Sequence, residues 1–181
     1  MPVVFRRDRR GIAYADERSF DRDVHGVLWE RAPSQPGRGV PRFGRVHSLR
    51  QRLCLTGLLC QVCGGPADRT TDGVLWLVDA HPAELPPTGE TTAHPPVCRP
   101  CARLSLRACP RLRSHQVALR VRRFRPEGVR GALYLADRSG PRLYDARTLP
   151  LTNPLVPWLV GSQLLVELID YTVVDLDDRT T

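Results

Sequence analysis

Lysine is absent from this sequence, and three other residue types are nearly absent. Among 181 residues there are one methionine, one asparagine and two isoleucines, so all 27 cationic residues are arginine. Because the codons of these four residue types are rich in A and T, the bias indicates a high-GC genome. Arginine contacts phosphate in a planar, bidentate way that lysine does not, but its use here in place of lysine says nothing about function.

Long apolar segments are also missing. No run reaches the roughly 18 apolar residues that a membrane-spanning helix needs. The N-terminus, MPVVFRRDRR, has no apolar stretch before a small-residue cleavage site, so we do not expect a signal peptide. Without export, the six cysteines are expected to be metal ligands and reduced thiols instead of disulfides. We therefore expect a cytoplasmic protein.

Several common catalytic signatures do not occur. A phosphate-binding loop of the form G-x-x-x-x-G-K-[ST] requires a lysine, and the sequence has neither G-x-G-x-x-G nor G-x-S-x-G. The chain therefore gives no support to a P-loop nucleotide hydrolase, a dinucleotide-binding dehydrogenase or an α/β-hydrolase.

Two Cys-x-x-Cys pairs are the strongest signal that is present. Cys60 and Cys63 lie in CQVCGG, Cys98 and Cys101 lie in VCRPC, and 34 residues separate the pairs. Each pair places two thiolates on the same side of a tight turn, and four such ligands can surround one tetrahedral ion. We therefore predict a structural Zn²⁺ site, which contributes folding energy directly.

Alternative roles remain for the cysteines and one histidine. His94 or Cys109 can replace one of the four ligands. Otherwise Cys54 and Cys109 are expected to be small buried hydrophobic residues. The first pair resembles a redox Cys-x-x-Cys, but a second matched pair favours metal binding.

The residues around the first pair predict a helix and then a hairpin. The helix is predicted to begin at Ser48, to carry Leu49 and Leu53 on one face and to end at Gly57. The hairpin that follows the first pair is predicted to turn at Asp72-Gly73.

The second pair is predicted to open another helix. Pro100 suits the first turn of a helix, and Pro110 is expected to end it. A cysteine turn, a hairpin and two cysteines at a helix start, in that order, resemble a treble-clef zinc finger.

Alternating segments predict antiparallel strands on both sides of this core. Residues 115–124 alternate apolar side chains with arginine, and a hairpin is expected at 137–141. A C-terminal helix is predicted over 155–169, followed by a strand, YTVVDL. Recurring strands are also predicted at HGVLWE (25–30), DGVLWLVD (72–79) and RGALYLAD (130–137).

These elements predict an α+β protein with three consecutive parts. Residues 1–45 are expected to form a loosely held basic N-terminal arm and a hairpin. Residues 46–113 would hold the first helix and the treble-clef zinc core. Residues 114–181 would form a basic β-hairpin region with the C-terminal helix and strand.

The segment Cys60–Cys109 resembles the treble-clef core of HNH endonucleases. The resemblance is carried by the two cysteine pairs, by WLVDAHP and by TTAHPPVC. It implies that Asp79 holds a divalent metal, that His81 activates water, and that His94 binds metal or substrate. Because Ala80 separates the Asp from the His and the segment lacks Asn, we expect a scaffold without catalysis, with an active nuclease as an alternative.

The whole chain also resembles a group of actinobacterial proteins of unassigned activity that carry CQVCGGPA and HPPVC.PCA blocks. This resemblance agrees with the high-GC composition and implies no particular activity.

Charge is distributed unevenly along the chain. Residues 99–130 contain ten arginines and one acid, Glu127, whereas residues 167–178 contain five acids and no arginine. A basic surface beside an acidic one is one interpretation, and a solvated face or mutual neutralisation of the two segments is the other.

The leading functional hypothesis is a non-catalytic zinc-binding protein that contacts nucleic-acid phosphates through arginine faces. A protein-interaction module anchored by tryptophan is the second hypothesis. No membrane partner is expected, and the oligomeric state is left open. The arginines predicted to contact nucleic acid are Arg99, Arg103, Arg107, Arg120, Arg122 and Arg123, and the tryptophans of the second hypothesis are Trp29, Trp76 and Trp158.

Overall fold

A computed structural model describes residues 2–33, 46–81, 83, 85–109 and 116–176. The predicted helix stop at Pro110 and the acids at 177 and 178 lie outside the described residues. Two α-helices are present in the described chain, α1 at Ser48–Thr56 and α2 at Arg99–Ala108. Neither of them is long and apolar enough to cross a membrane.

The strands of the described chain confirm the predicted α+β class. A small sheet pairs β1 with β2, and a seven-stranded sheet has the order β3-β9-β7-β5-β4, with β6 beside β9 and β8 beside β7. The pair β3–β9 is parallel, and the other pairs with a known register are antiparallel. The strands are β1 Val3–Phe5, β2 Ile12–Tyr14, β3 Leu28–Trp29, β4 Arg69–Thr70, β5 Gly73–Val78, β6 Glu90–Thr92, β7 Val117–Asp137, β8 Gly140–Pro150 and β9 Leu159–Val174.

The chain folds into two compact units, and both are discontinuous in sequence. The first unit comprises Met1–Leu49 and Glu127–Leu164, and the second comprises Arg50–Pro126 and Leu165–Thr181. These units cut across the three consecutive parts expected from the sequence. The physical reason is that β7 and β9 are long strands, each of which contributes residues to both units.

The first unit includes the basic N-terminus in regular structure. The arginine-rich residues 6–10 form the turn between β1 and β2, which pair from Val3↔Tyr14 to Phe5↔Ile12. The expectation of a loosely held arm is therefore wrong. A core of Ile12, Tyr14, Leu28 and Val160 holds this hairpin in place.

The predicted C-terminal helix over 155–169 is also wrong. A single 3₁₀ turn at Val156–Trp158 leads directly into β9, which runs from Leu159 to Val174. The apolar spacing fits a helix, but pairing with neighbouring strands decides the outcome because β propensity depends on such context. Glycine allows a close approach here, since a Cβ at Gly131 would lie 2.1 Å from the Val160 carbonyl oxygen.

A buried carboxylate stabilises the first unit. The side chain of Asp21 is 1% exposed and accepts hydrogen bonds from Arg31 Nε at 2.7 Å, from a second Arg31 nitrogen and from the Arg18 amide. The hydrogen bonds from Arg31 hold the pKa of Asp21 below its usual value, although burial acts in the opposite direction.

We expect this pair to make the first unit sensitive to acid. A carboxylate with a lowered pKa contributes stability that is complete above its unfolded pKa, about 3.9. That contribution is lost as the pH falls through the lower folded pKa. Urea unfolding of the wild type and of Arg31→Gln between neutral pH and pH values near 3 measures it. The variant should start less stable and lose less on acidification, and equal acid-dependent losses in the two proteins would contradict the prediction.

In the second unit, the predicted helix is confirmed as α1, but its buried face is not the predicted face that carries Leu49 and Leu53. Gln51, Cys54 and Leu55 are buried, whereas Leu53 is 54% exposed. The Gln51 amide donates to the Ala93 carbonyl at 2.7 Å, so a polar side chain ties this helix to the chain before the second cysteine pair.

Candidate metal centre

The first cysteine pair lies in a tight turn directly after α1. The chain leaves the helix through Leu58, whose φ is 50°, and the Cys60 amide then donates to the Gly65 carbonyl at 2.7 Å. The Gly64 amide donates back to the Cys60 carbonyl at 2.8 Å. Gly64 has a φ of +76°, a left-handed conformation that glycine adopts without a Cβ clash. The turn thus directs both thiols to one side.

The second pair opens α2, as the sequence predicts. Cys98 is the residue that caps the helix, Pro100 lies in the first turn, and the Ala102 amide donates to the Cys98 carbonyl at 2.9 Å. Cys101 therefore lies one turn into the helix, near the positive end of the helix dipole.

Backbone hydrogen bonds join the two cysteine segments. The Gln61 amide donates to the Pro96 carbonyl at 3.0 Å, and the Asp68 amide donates to the Val97 carbonyl at 3.0 Å. Val97 in turn donates to Leu75 on β5 at 2.9 Å. These bonds place both cysteine turns on one core, composed of Cys60, Leu75, Leu77, Val97, Ala102, Ala118 and Leu176.

The four sulfur atoms have the spacing of a tetrahedral metal site. All four Sγ atoms lie within 4.8 Å of one another, and Cys63 Sγ is 3.8 Å from Cys98 Sγ. A Zn–S bond of about 2.3 Å requires sulfur atoms about 3.8 Å apart at the corners of a tetrahedron. Cys60, Cys63, Cys98 and Cys101, which we call the four-cysteine centre, are therefore arranged to hold a metal ion.

The surroundings of Cys60 and Cys101 move the pKa values of these two thiols in opposite directions. Burial raises the pKa of Cys60, but backbone amides of Cys63, Cys98 and Val62 outweigh burial and bring this pKa to about 7. The neighbouring Cys98 sulfur, together with burial, raises the pKa of Cys101 to about 12. Four adjacent thiolates repel one another, and the positive charge of a bound cation offsets this repulsion and keeps the coordinating thiols deprotonated.

The alternative ligands do not join the centre. Within the described part of the chain, the four cysteines are the only group of three or more metal-binding side chains whose donor atoms converge. His94 and Cys109 are not among them. Cys54 is buried, as predicted, but Cys109 is only half-buried.

The residues of the nuclease resemblance do not converge either. Asp79 follows the end of β5 and is exposed, and His81 is exposed with Nδ1 accepting from the Ala83 amide at 3.3 Å. His94 is exposed, and its carbonyl accepts the Trp76 indole N–H at 2.9 Å. These three residues form no metal-binding group among the described residues.

Arg50 is a neighbour of the centre that sequence analysis did not identify. Its Nη2 atom donates to the Val62 carbonyl at 2.7 Å, which links α1 to the turn between Cys60 and Cys63. Its guanidinium also contacts the Cys54 thiol and lowers the pKa of that thiol, although burial is the larger effect and raises it. Nothing in the spacing of the sequence marks this residue.

The arginines of α2 interact with the chain that follows β9. Arg103 Nη2 donates to the Leu176 carbonyl at 3.0 Å, and Arg99 Nη1 lies 3.5 Å from the same oxygen. Both are half-buried, whereas Arg107 is exposed. Arg99 and Arg103 thus help to hold the end of the described chain against α2.

Arg120 is not on an exposed face, contrary to the expectation from alternation. Its side chain is 5% exposed, and its Nη2 atom pairs with the Asp68 carboxylate at 2.5 Å. Its Nη1 atom lies 3.3 Å from the Asp68 and Gly73 carbonyl oxygens. Strand β7 is covered on both faces from Val117 to Val121, so alternation does not separate a solvent face here.

The exposed end of the basic segment is partly neutralised by the acidic one. Arg122 Nε lies 3.2 Å from Asp170, and Arg125 Nε lies 2.7 Å from Glu167. These ion pairs agree with the interpretation that the basic and the acidic segments partly neutralise each other. Arg123, between them, is exposed.

The tryptophans of the protein-interaction hypothesis are mostly core residues. Trp29 and Trp76 are buried, and their indole N–H groups are hydrogen-bonded inside the protein. Trp158 is half-buried and packs edge to face against Phe5. Trp29 and Trp76 are therefore not available to anchor a partner.

Comparison of this chain with protein family models, with curated proteins and with solved structures finds no match. The side-chain geometry is therefore the basis for a functional conclusion.

Proposed function

We propose that this chain is a non-catalytic binding protein stabilised by a structural Zn²⁺ ion. The single observation that carries this is the convergence of four cysteine sulfurs from two turns. In structural zinc sites, four protein ligands such as thiolates fill all four coordination positions of the metal. In catalytic sites, one coordination position is kept for water or substrate. When bound, zinc supplies cross-linking and charge neutralisation, and Cys60, Cys63, Cys98 and Cys101 hold it.

The order of elements supports a treble-clef description of this centre. A cysteine turn, the β4–β5 hairpin and the cysteine-bearing start of α2 follow one another along the chain. The separation of Asp79, His81 and His94 supports a scaffold without HNH catalysis. Four reduced thiols at one site are also consistent with a cytoplasmic protein.

The proposed ligand is nucleic acid, contacted through exposed arginines. Support comes from the net charge of +8 and from the exposed positions of Arg107 and Arg123. Arg120 is removed from the predicted set by its burial, Arg99 and Arg103 are only half-buried against the end of the described chain, and Arg122 pairs with Asp170. Phosphate contacts by the exposed arginines would give affinity with little sequence preference.

A salt titration tests this proposal. We expect labelled DNA and RNA to bind at low salt and to dissociate as salt rises. The slope of log K against log salt should become shallower by about 0.7 to 0.9 for each phosphate contact removed in Arg107→Gln or Arg123→Gln. Arg120→Gln, measured where it is folded, is the matched control and should keep the wild-type slope. No binding at low salt, or binding that does not depend on salt, would remove nucleic acid as the ligand and leave the zinc proposal intact.

A further inference from the structure

The β7–β8 hairpin of the first unit ends in an exposed two-stranded ribbon. Of residues 135–148, which we call the ribbon, all except Gly140 and Pro141 are exposed. The strands pair from Leu135↔Arg142 to Asp137↔Gly140 around a two-residue turn. Within the described chain, β8 pairs with no strand other than β7. The side chains of the ribbon are therefore largely exposed to solvent, although β1 lies close to β8.

Two arginines of the ribbon have side chains without an interaction partner in the described part of the chain. Within the described residues, Arg138 and Arg142 make no ion pair or hydrogen bond through their side chains, unlike most of the arginines predicted to contact nucleic acid. Arg147 is held locally, because it pairs with Asp145 at 3.2 Å. The Arg147 guanidinium also lies 5.9 Å from the centre of the Tyr144 ring.

Tyr144 lies at an irregularity that turns its side chain outward. Leu133 pairs with Asp145 and Tyr134 pairs with Leu143, so Tyr144 is the extra residue of a β-bulge. Bulges re-aim side chains, and this one leaves Tyr144 55% exposed. A tyrosine that is neither buried nor hydrogen-bonded in the described chain contributes little to the fold, and its ring is available to a ligand.

We propose that the ribbon binds single-stranded nucleic acid, with Tyr144 stacking on a base and Arg138 and Arg142 contacting phosphates. This inference rests on the proposed function and goes further, because it assigns the strandedness of the ligand and a second contact surface. Single strands use exposed aromatic rings together with cations, and their unpaired bases offer a free π-face. A duplex hides those faces and would use only the arginines.

Fluorescence anisotropy with a labelled oligothymidylate of about 15 nucleotides tests the ribbon. Tyr144→Ala should weaken binding about tenfold or more and leave the salt slope unchanged, because it removes stacking and no charge. Tyr144→Phe is the matched control and should stay within about twofold of the wild type because it keeps the ring. Arg138→Gln with Arg142→Gln should reduce the slope by about 1.4, which corresponds to two phosphates on a single strand.

The outcomes separate this inference from the proposed function. If the wild type binds but Tyr144→Ala binds equally well, the ribbon is not the site and the proposed function stands. If a duplex of the same length binds more tightly than the single strand, the assignment of strandedness is overturned. If the wild type binds no oligonucleotide at low salt, the ribbon inference and the nucleic-acid part of the proposed function both fail, and the zinc proposal stands.

Discussion

Loss of the metal is expected to abolish cooperative folding of the second unit. The reason is the size of the binding free energy, since structural sites bind Zn²⁺ with about 10 to 16 kcal/mol at neutral pH. A whole domain is stable by only about 5 to 15 kcal/mol. The core that contains Cys60 and Val97 also packs against Cys98 and Cys101. Without the ion, this core would therefore lie against mutually repelling or protonated thiols.

The measurement is metal analysis combined with calorimetry. The purified protein should contain one zinc ion per chain, and a strong chelator or Cys98→Ser should remove the unfolding transition of the second unit. Cys109→Ser is the matched control, since Cys109 lies outside the centre and should keep both metal and transition. An apoprotein that unfolds at the same temperature as the zinc form would rule out a structural role for the metal.

The four-cysteine centre could be predicted because its determinants are local. The spacing within each pair fixes two thiols on one turn, and Pro100 marks the helix start that carries the second pair. The hairpin turn between Asp137 and Gly140 could be predicted for the same reason. Within each cysteine pair and within the hairpin turn, the residues that set the geometry are within a few positions of one another.

Whether residues 155–169 form a helix or a strand depends on contacts that the local sequence does not encode. Their apolar spacing fits a helix, but Val160 and Val166 belong to a strand paired with β3 and β6, which come from distant parts of the chain. The discontinuous units have the same origin, since long strands connect residues that are far apart in sequence. The spacing of apolar residues over a short segment does not indicate which distant strands pair with each other.

The arginine faces show a second limit of sequence patterns. Alternation along β7 correctly predicts that Val117, Leu119 and Val121 are buried, yet it assigns Arg120 to solvent. Strand β5 covers one edge of β7, and the Asp68 carboxylate that follows the first cysteine turn meets the guanidinium. The local excess of arginine over acid therefore overstates the positive surface, because acids at distant positions neutralise part of it.

Arg120→Gln is expected to destabilise the second unit by about 3 kcal/mol, near the low end of the cost of breaking a buried ion pair. The low end applies because Asp68 is 26% exposed and keeps some contact with water when its partner is removed. The carbonyl groups of Asp68 and Gly73 also lose a donor in this variant. Urea unfolding of zinc-loaded protein measures the change.

A double variant distinguishes a broken ion pair from a general packing defect. Asp68→Asn in the Arg120→Gln background removes the carboxylate charge that the single variant leaves without its partner. It should therefore recover part of the lost stability. Arg123→Gln is the exposed control on the same strand and should change stability by less than about 0.5 kcal/mol. If Arg120→Gln is as stable as the wild type, or if Asp68→Asn makes it less stable still, the Arg120–Asp68 pair does not support the fold around the four-cysteine centre.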